Sequence, residues 1–238
     1  MNQPKRTRKE WRGAIIGMVM GDGYLGQNRF RNGTYGGNYQ LDIVHGAKQV
    51  EYLEHKRNIV NEIFDYEIPI REKIAKAGNG KKYRVYKFVT HVHSRFTFIA
   101  NRIYDENRKK HITPWVLDNI TDEGMAYWWM DDGCLFQYDG TKKGRSGGFT
   151  ILAVCCFPEG EVEMLRDWIS NRYNVNLNIN RHKSGLYLRR GLSEGYKLVD
   201  ALKQYSVPCM DYKFQYSFKR KPYNLARDLT APVNLLNQ

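Results

Sequence analysis

The 238-residue sequence has no apolar run of the ~18 residues that a membrane-spanning helix needs, so no membrane partner is expected. It has four cysteines, Cys134, Cys155, Cys156 and Cys209, and none has the CxxC spacing of a zinc site or redox pair. Cys155 and Cys156 are neighbours in an expected strand, so they should point to opposite faces. Buried free thiols in a reducing, intracellular compartment are expected. The six histidines include no HExxH and no helical i, i+4 pair. His91 and His93 fall two apart on an expected strand and are read as structural or nucleic-acid-facing, not as a metal site. No Pro- or Ser-rich linker divides the chain. The first ten residues, MNQPKRTRKE, lack the apolar stretch of a secretory signal, and KRTRK reads as a solvated tail, a nucleic-acid-contacting arm or a localisation signal. Acidic residues are also scarce, at 25 against 38 Lys and Arg. The net charge of +13 and pI near 9.5 suit a polyanionic partner, by composition alone either nucleic acid or an anionic membrane surface.

What is present is a nine-residue segment that occurs twice. IIGMVMGDG covers residues 15–23 and MAYWWMDDG covers residues 125–133. Each is a largely apolar helical run ending in Asp-Gly. Gly23 and Gly133 read as left-handed helix stops. Asp22 and Asp132 then lie in the last turn, where a carboxylate meets the negative end of the dipole at a cost of ~0.3–1 kcal/mol. A cation bound at the helix ends would offset that cost. The two Asp are 110 residues apart, close to half the chain, as duplication of one unit requires.

The remaining pattern supports duplication. A helix over 10–21 that is apolar nearly all round should be buried on nearly all sides. A strand (24–31), a Gly/Asn loop (31–38), a return strand (39–45) and a helix (49–64) follow. The helix carries an apolar stripe of Val50, Leu53, Ile59, Val60 and Ile63. A hairpin (68–76 and 83–91) around AGNGKK and a helix over 96–107 complete the half. The second half repeats the order: strands 134–138 and 149–156 around DGTKKGRSGG, a helix from Pro158-Glu159 to about 173, a hairpin (177–183 and 186–190) and a helix over 195–205. The expectation is an α+β fold of two αββαββα halves, residues 1–115 and 116–238, fused tightly in one chain.

These segments resemble the two LAGLIDADG motifs of the homing endonucleases, ungapped and with the final Asp-Gly in register. YWWMDDGCL is similar to the second motif of free-standing, two-motif members. The likeness extends through YQLDIVHGAKQVEYLEHKRNIVNEIF and GGFTILAVCCFPEGEVEMLRDWISNRY, and through the closing segments KKHITPW and YSVPCMDYK. One departure is that Gly17 and Gly21 of the first copy face Tyr127 and Asp131 of the second, where small residues usually let the helices approach. The resemblance implies a pseudo-dimeric single chain whose antiparallel four-stranded sheets form a DNA-binding saddle, joined by the paired motif helices. It implies a monomer that cuts a long, asymmetric double-stranded DNA site and leaves short 3′ overhangs. An intron RNA maturase and a non-catalytic DNA-binding regulator are the alternatives on the same fold. An intein origin is not expected, since the chain starts at Met1 and ends APVNLLNQ without a splicing nucleophile.

Phosphodiester hydrolysis needs an activated water and stabilisation of charge on phosphate and leaving oxygen, which carboxylate-bound divalent ions provide. In an oxygen-rich site Mg²⁺ is the natural ion; Mn²⁺ is expected to substitute and Ca²⁺ to bind without cleavage. Two carboxylates ~5 Å apart would otherwise repel by roughly 3 kcal/mol at an effective dielectric of ~20. By register Asp22 and Asp132 are the ligands, and the carbonyls of Gly21 and Asp131 would be secondary ones. Lys110 and Lys213 match family lysines that position water and steady the phosphate, and Gln40 matches a polar active-site position. The Gln40 counterpart near Ala153 is apolar, so the halves are expected to be unequal. Candidate DNA contacts in the first half are Arg29, Arg31, Tyr35, Lys73, Lys76, Lys81, Lys82, Arg84 and Tyr86. Those in the second are Tyr138, Lys142, Lys143, Arg145, Arg181, Lys183, Tyr187, Arg189 and Arg190. Arg reads guanine, Asn and Gln read adenine, and most single Lys or Arg contacts go to phosphate.

Overall fold

The computed structural model describes residues 6–29, 35–76, 78–138 and 147–215. Helix α1 (Arg8–Met20) starts at a capping box in which Thr7 accepts from the Glu10 amide and Glu10 from the Thr7 amide. Strands β1 (Tyr24–Arg29) and β2 (Tyr35–Gly46) follow, then α2 (Val50–Asn61), β3 (Arg71–Lys76), β4 (Lys82–Val89) and α3 (Ser94–Ile103). A short helix α4 (Pro114–Asn119) leads to α5 (Asp122–Asp132), capped by Thr121 and carrying Asp122 and Glu123 in its first turn, where the dipole favours them. The second series is β5 (Gly133–Tyr138), β6 (Gly147–Ala153), α6 (Glu159–Tyr173), β7 (Asn178–His182), β8 (Gly185–Gly191) and α7 (Leu192–Leu202). The sheets share one antiparallel topology, β1-β2-β4-β3 and β5-β6-β8-β7. The αββαββα order therefore occurs twice in an α+β fold. No helix among the described residues is long and apolar enough to cross a membrane.

Helices α1 and α5 pack side by side and parallel at the centre. Ala14, Ile15, Ile16, Met18 and Val19 are fully buried, as are Met125, Ala126, Trp128, Trp129 and Met130. Each large side chain taken from water here contributes about 1.5–3 kcal/mol. The seam is tight because α1 carries Gly13 and Gly17, with Gly21 at its C-cap, spaced four residues apart. A Cβ on Gly17 would lie 1.8 Å from the Gly124 carbonyl oxygen, and one on Gly124 would lie 2.1 Å from that of Gly13. Small residues thus do line the crossing, but α5 supplies Gly124, one position before its motif, and not Tyr127. Gly17→Ala should destabilise the protein by at least about 1–3 kcal/mol, because backbone and not a flexible side chain must move. An unchanged thermal melting curve would contradict this packing.

Several expectations are corrected. Neither Gly23 nor Gly133 is left-handed; among the described residues the glycines with positive φ are Gly80 and Gly185. Gly133 is extended (φ −81°, ψ 153°), so α5 runs directly into β5. Glycine is required there by crowding, since a Cβ would meet the Trp129 ring at 2.3 Å. Tyr35–Gly46 is one long strand, so the YGGN read as loop belongs to β2. Cys155 and Cys156 are in a turn, not a strand. Val154 dips into the core, and the Phe157 amide donates to the Val154 carbonyl to reverse the chain before α6. The expected thiol burial is also wrong: Cys134, Cys155 and Cys156 are exposed and Cys209 is half-buried. His91 and His93 lie beyond β4; His91 stacks on Tyr66, and His93 caps α3 by accepting from the Arg95 amide.

Candidate active site at the paired helix ends

The parallel seam brings both motif ends to one place. The chain turns tightly after α1, with the Gly21 amide donating to Gly17 O (3.1 Å) and the Gly23 amide to Met18 O (2.8 Å). Asp22 projects from that turn with 51% of its side chain exposed. Asp132 is the last residue of α5. The Asp22 amide donates to Asp131 Oδ2 at 3.0 Å, which ties the two ends together. Partial burial raises the Asp22 carboxyl above the usual range, and the Asp131 charge adds to this. Burial, then the charges of Asp131 and Asp22, push Asp132 up to about 7. Anionic groups therefore crowd at two negative dipole ends, the electrostatic setting for a bound cation.

Both lysines reach this place from opposite sides. Lys110 Nζ donates to Gly21 O at 2.7 Å and Lys213 Nζ to Gly133 O at 2.6 Å. Burial holds both ammonium groups below the usual lysine range, against the pull of the neighbouring carboxylates. The pairing is not fully symmetric, because the residue aligned with Gly21 is Asp131, not Gly133. Gln40 lies on β2 opposite Gly26, two residues from Asp42. Matching the two sheets by their pairing puts Phe149, not Ala153, in the corresponding place: Gly26 pairs with Gln40 as Phe136 pairs with Phe149.

A third cation here escaped the sequence reading. Lys56 of α2 is fully buried and donates to both Asp131 carboxylate oxygens at 2.8 Å. Its third proton points to His45 Nε2 at 3.1 Å, and it sits 4.1 Å from the Tyr52 ring centroid. Burial and the Lys56 charge push His45 down to about 3, so its imidazole is neutral. Since an ammonium can only donate, His45 accepts at Nε2 and carries its proton on Nδ1, 3.8 Å from Asp22 Oδ2. Asp22, His45 and Asp131 place ligand atoms within 4.8 Å of one another, but Lys56 already neutralises the Asp131 member of that group. The signal for both residues was in the sequence. Lys56 occupies an apolar-face position of α2 between Leu53 and Ile59-Val60, and His45 alternates inward with Leu41 and Ile43.

Among the described residues, each sheet has one face on the helices and one open. Gly148, Thr150 and Leu152 of β6 are buried, so Phe149, Ile151 and Ala153 face outward. Tyr187 and Arg189 share that face, with the Arg189 guanidinium 3.4 Å over the Phe149 ring. Lys73 faces outward in the first sheet, directly opposite Val85. Other predicted contacts lie elsewhere. Arg181 turns to the helix side and pairs with Glu159 at 2.8 Å, and Arg190 alternates to the side of buried Thr150. Tyr86 is on the His45 side and donates to Glu72 (3.0 Å), as Arg84 does at 3.1 Å, while Lys76 and Lys82 pair beyond them. Lys81 and Lys183 are exposed in the two hairpin turns. Arg31, Lys142, Lys143 and Arg145 lie outside the described residues, as do the side chains of Arg29, Tyr35 and Tyr138.

The model of the LAGLIDADG DNA endonuclease family matches residues 12–197. The chain is 28% identical over 207 residues to a probable intron-encoded endonuclease 1 of Wickerhamomyces canadensis, covering 85% of this chain and 83% of that protein. It is 26% identical over 223 residues to a protein RecA of Mycolicibacterium flavescens, 91% of this chain but 49% of that protein, so it spans about half the length of that relative. Among solved structures, the homing endonuclease I-WcaI bound to its DNA recognition sequence is similar with a TM-score of 0.71 and 26% identity over 88% of each chain. The meganuclease I-SmaMI shares the fold, with a TM-score of 0.52 at 11% identity over 85% of this chain and 86% of that one. With the family model covering most of the chain and both motifs ending on one acidic site, this protein belongs to the LAGLIDADG DNA endonuclease family.

Proposed function

We propose that this protein is a monomeric, site-specific double-strand DNA endonuclease of intron-homing type, cutting a long asymmetric target and leaving short 3′ overhangs. The observation that carries this is the meeting of Asp22 and Asp132 at paired helix ends, with Lys110 and Lys213 in contact with the adjoining carbonyls and an open sheet face on either side. The halves divide at 115/116 in this proposal.

The donor set suits a hard divalent cation, Mg²⁺ first and Mn²⁺ in its place. Oxygens surround the site, and burial together with the neighbouring carboxylates raises both carboxyl groups, a penalty that a bound cation would offset. Asp22 and Asp132 would hold it, with the Gly21 and Asp131 carbonyls as secondary ligands; a carbonyl that accepts from Lys110 keeps a second lone pair. When bound, the ion supplies Lewis acidity toward phosphate and a more acidic water. The chain's own residues do the rest. Lys110 and Lys213, held below the usual lysine range, exchange a proton with the attacking water or leaving oxygen more readily and steady phosphate charge. Gln40 orients water on the first-half side, and Phe149 cannot do so on the other, so one strand would be cut faster.

The sheets bind the duplex. We propose Lys73, Tyr187 and Arg189 for the open faces, Lys81 and Lys183 for the phosphates flanking the hairpin turns, and Arg29, Arg31, Tyr35, Tyr138, Lys142, Lys143 and Arg145 for the β1–β2 and β5–β6 hairpins. If about ten phosphates are neutralised, log K should fall with log[salt] at a slope near −9, and a slope near zero would remove the nucleic-acid reading. The direct test is cleavage selection on a randomised duplex pool in Mg²⁺, with a Ca²⁺ control. One long asymmetric motif, cut in Mg²⁺ and only bound in Ca²⁺, is expected. Binding without cleavage in any divalent ion would overturn the nuclease reading and direct the next trial to structured intron RNA.

A further inference from the structure

The two open sheet faces are chemically unlike. On the first, the outward positions of β1 and β2 nearest Asp22 are Gly26, Gln40 and Asp42, and Asp42 is paired with Lys87 at 2.8 Å. The matching positions of the second, taken rung by rung, are Phe136, Phe149 and Ile151. Ala153 extends this carbon surface along β6. Phe136 is 53% exposed, its ring stacks on Phe149 with centroids 6.4 Å apart, and a shallow groove of about 390 Å³ runs over both to Ile151, Ala153 and Tyr187, with Arg189, His182 and Ser184 along its other edge. Carboxylate and amide on one side thus face hydrocarbon on the other.

Resting on the endonuclease reading above, we infer that the second sheet reads thymine C5-methyl groups, and that the half-site it covers carries a cluster of thymines next to the cut, while the first sheet reads its half-site by hydrogen bonds. In the major groove the thymine methyl is the one apolar feature, and every other base edge offers a donor or acceptor. A donor or acceptor pressed against Phe136, Ile151 and Ala153 would lose its water and gain no partner from them, so cytosine and both purines are disfavoured there; Arg189, held over the Phe149 ring, supplies donors only at the β8 edge of this surface. Thymine instead places carbon on carbon. The position of the cluster follows from the chain. β5 begins at Gly133, directly after Asp132, and Phe136 is four residues on. At ~3.3 Å per residue that is roughly 13 Å, or about four base pairs at the ~3.4 Å rise of duplex DNA. The thymines therefore belong within about the first five base pairs of that half-site.

The test uses the target recovered by selection. A photocrosslinking amino acid at Lys81 or Lys183, the exposed turns of the two sheets, assigns each half-site to its sheet. Thymines are then replaced singly by deoxyuridine, which removes the methyl and leaves base pairing intact. In the second half-site each replacement near the cut should weaken binding about four-fold, the effect of one buried methyl. In the first half-site the change should be under two-fold. Ile151→Ala, a surface truncation, should abolish the penalty at one thymine and leave the others. Equal or absent deoxyuridine penalties in the two halves, with cleavage intact, would overturn this inference and leave the nuclease standing. Persistence of every penalty in Ile151→Ala, Phe149→Ala and Phe136→Ala would overturn it too. Failure to bind or cut any duplex would overturn the endonuclease reading, and this inference with it.

Discussion

Lys56→Met is expected to destabilise the protein by about 3–5 kcal/mol, because it strands the buried Asp131 carboxylate without its counter-charge. For a chain of this length that is a fall in melting temperature of roughly 6–20 °C. The cost has a specific origin in the duplicated architecture. Where the first motif has Gly21 the second has Asp131, and a Cβ on Gly21 would already lie 2.3 Å from the Asp131 carboxylate. The extra carboxylate is therefore wedged into the tight end of the seam, and the other half supplies the ammonium that neutralises it. Lys56→Met combined with Asp131→Asn should recover most of the loss, since replacing both members of a buried pair is often neutral or favourable by about 1–4 kcal/mol. The Asn amide still offers an oxygen to the Asp22 amide. Urea or thermal denaturation of the two single variants and the double gives the coupling. A Lys56→Met cost below about 1 kcal/mol would show that the pair contributes little.

Asp22→Asn and Asp132→Asn are each expected to reduce cleavage by about three orders of magnitude or more, equivalent to ~4 kcal/mol of transition-state stabilisation, and to leave target binding within a few-fold. They should also affect stability in the opposite direction to Lys56→Met. A carboxyl group whose folded pKa is raised to about 7 binds protons in the native state that the unfolded chain has released. Between about pH 4 and 7 such a group lowers stability as pH rises. In chelator, Asp132→Asn should therefore gain on wild type across that window and hold its advantage above it. Adding Mg²⁺ should narrow the gap by stabilising wild type alone. A variant that lost activity and stability together would indicate a structural role for Asp132.

Periodicity and punctuation carried most of the architecture. The doubled Asp-Gly segment, the strand-turn-helix order and the spacing of 110 residues single out Asp22 and Asp132 in the sequence, and the side chains of Lys110 and Lys213, matched to family positions, contact the carbonyls of Gly21 and Gly133. What escaped depended on three-dimensional neighbours. Gly17 and Gly21 marked a close-packed face, but Gly13 and the partner Gly124 lie outside the nine-residue motifs. Asp-Gly suggested left-handed caps, whereas the chain leaves α5 extended because the next strand begins at once. Lys56 was passed over because a lysine in an amphipathic helix is usually solvated; only the carboxylate from the other half explains its burial. Arg181 and Arg190 were grouped with Arg189 by charge, yet strand alternation turns their side chains to the other face, where Arg181 meets Glu159.

The most direct measurement is strand-resolved cleavage of the selected target, labelled on both strands, by wild type, Asp22→Asn and Asp132→Asn. Wild type should cut both strands in Mg²⁺, the strand served by the Phe149 half more slowly than the one served by the Gln40 half. Each Asn variant should bind the same target and fail to make a double-strand break. Double-strand cleavage at wild-type rate by either variant would contradict the claim that the two acids at the paired helix ends do the chemistry.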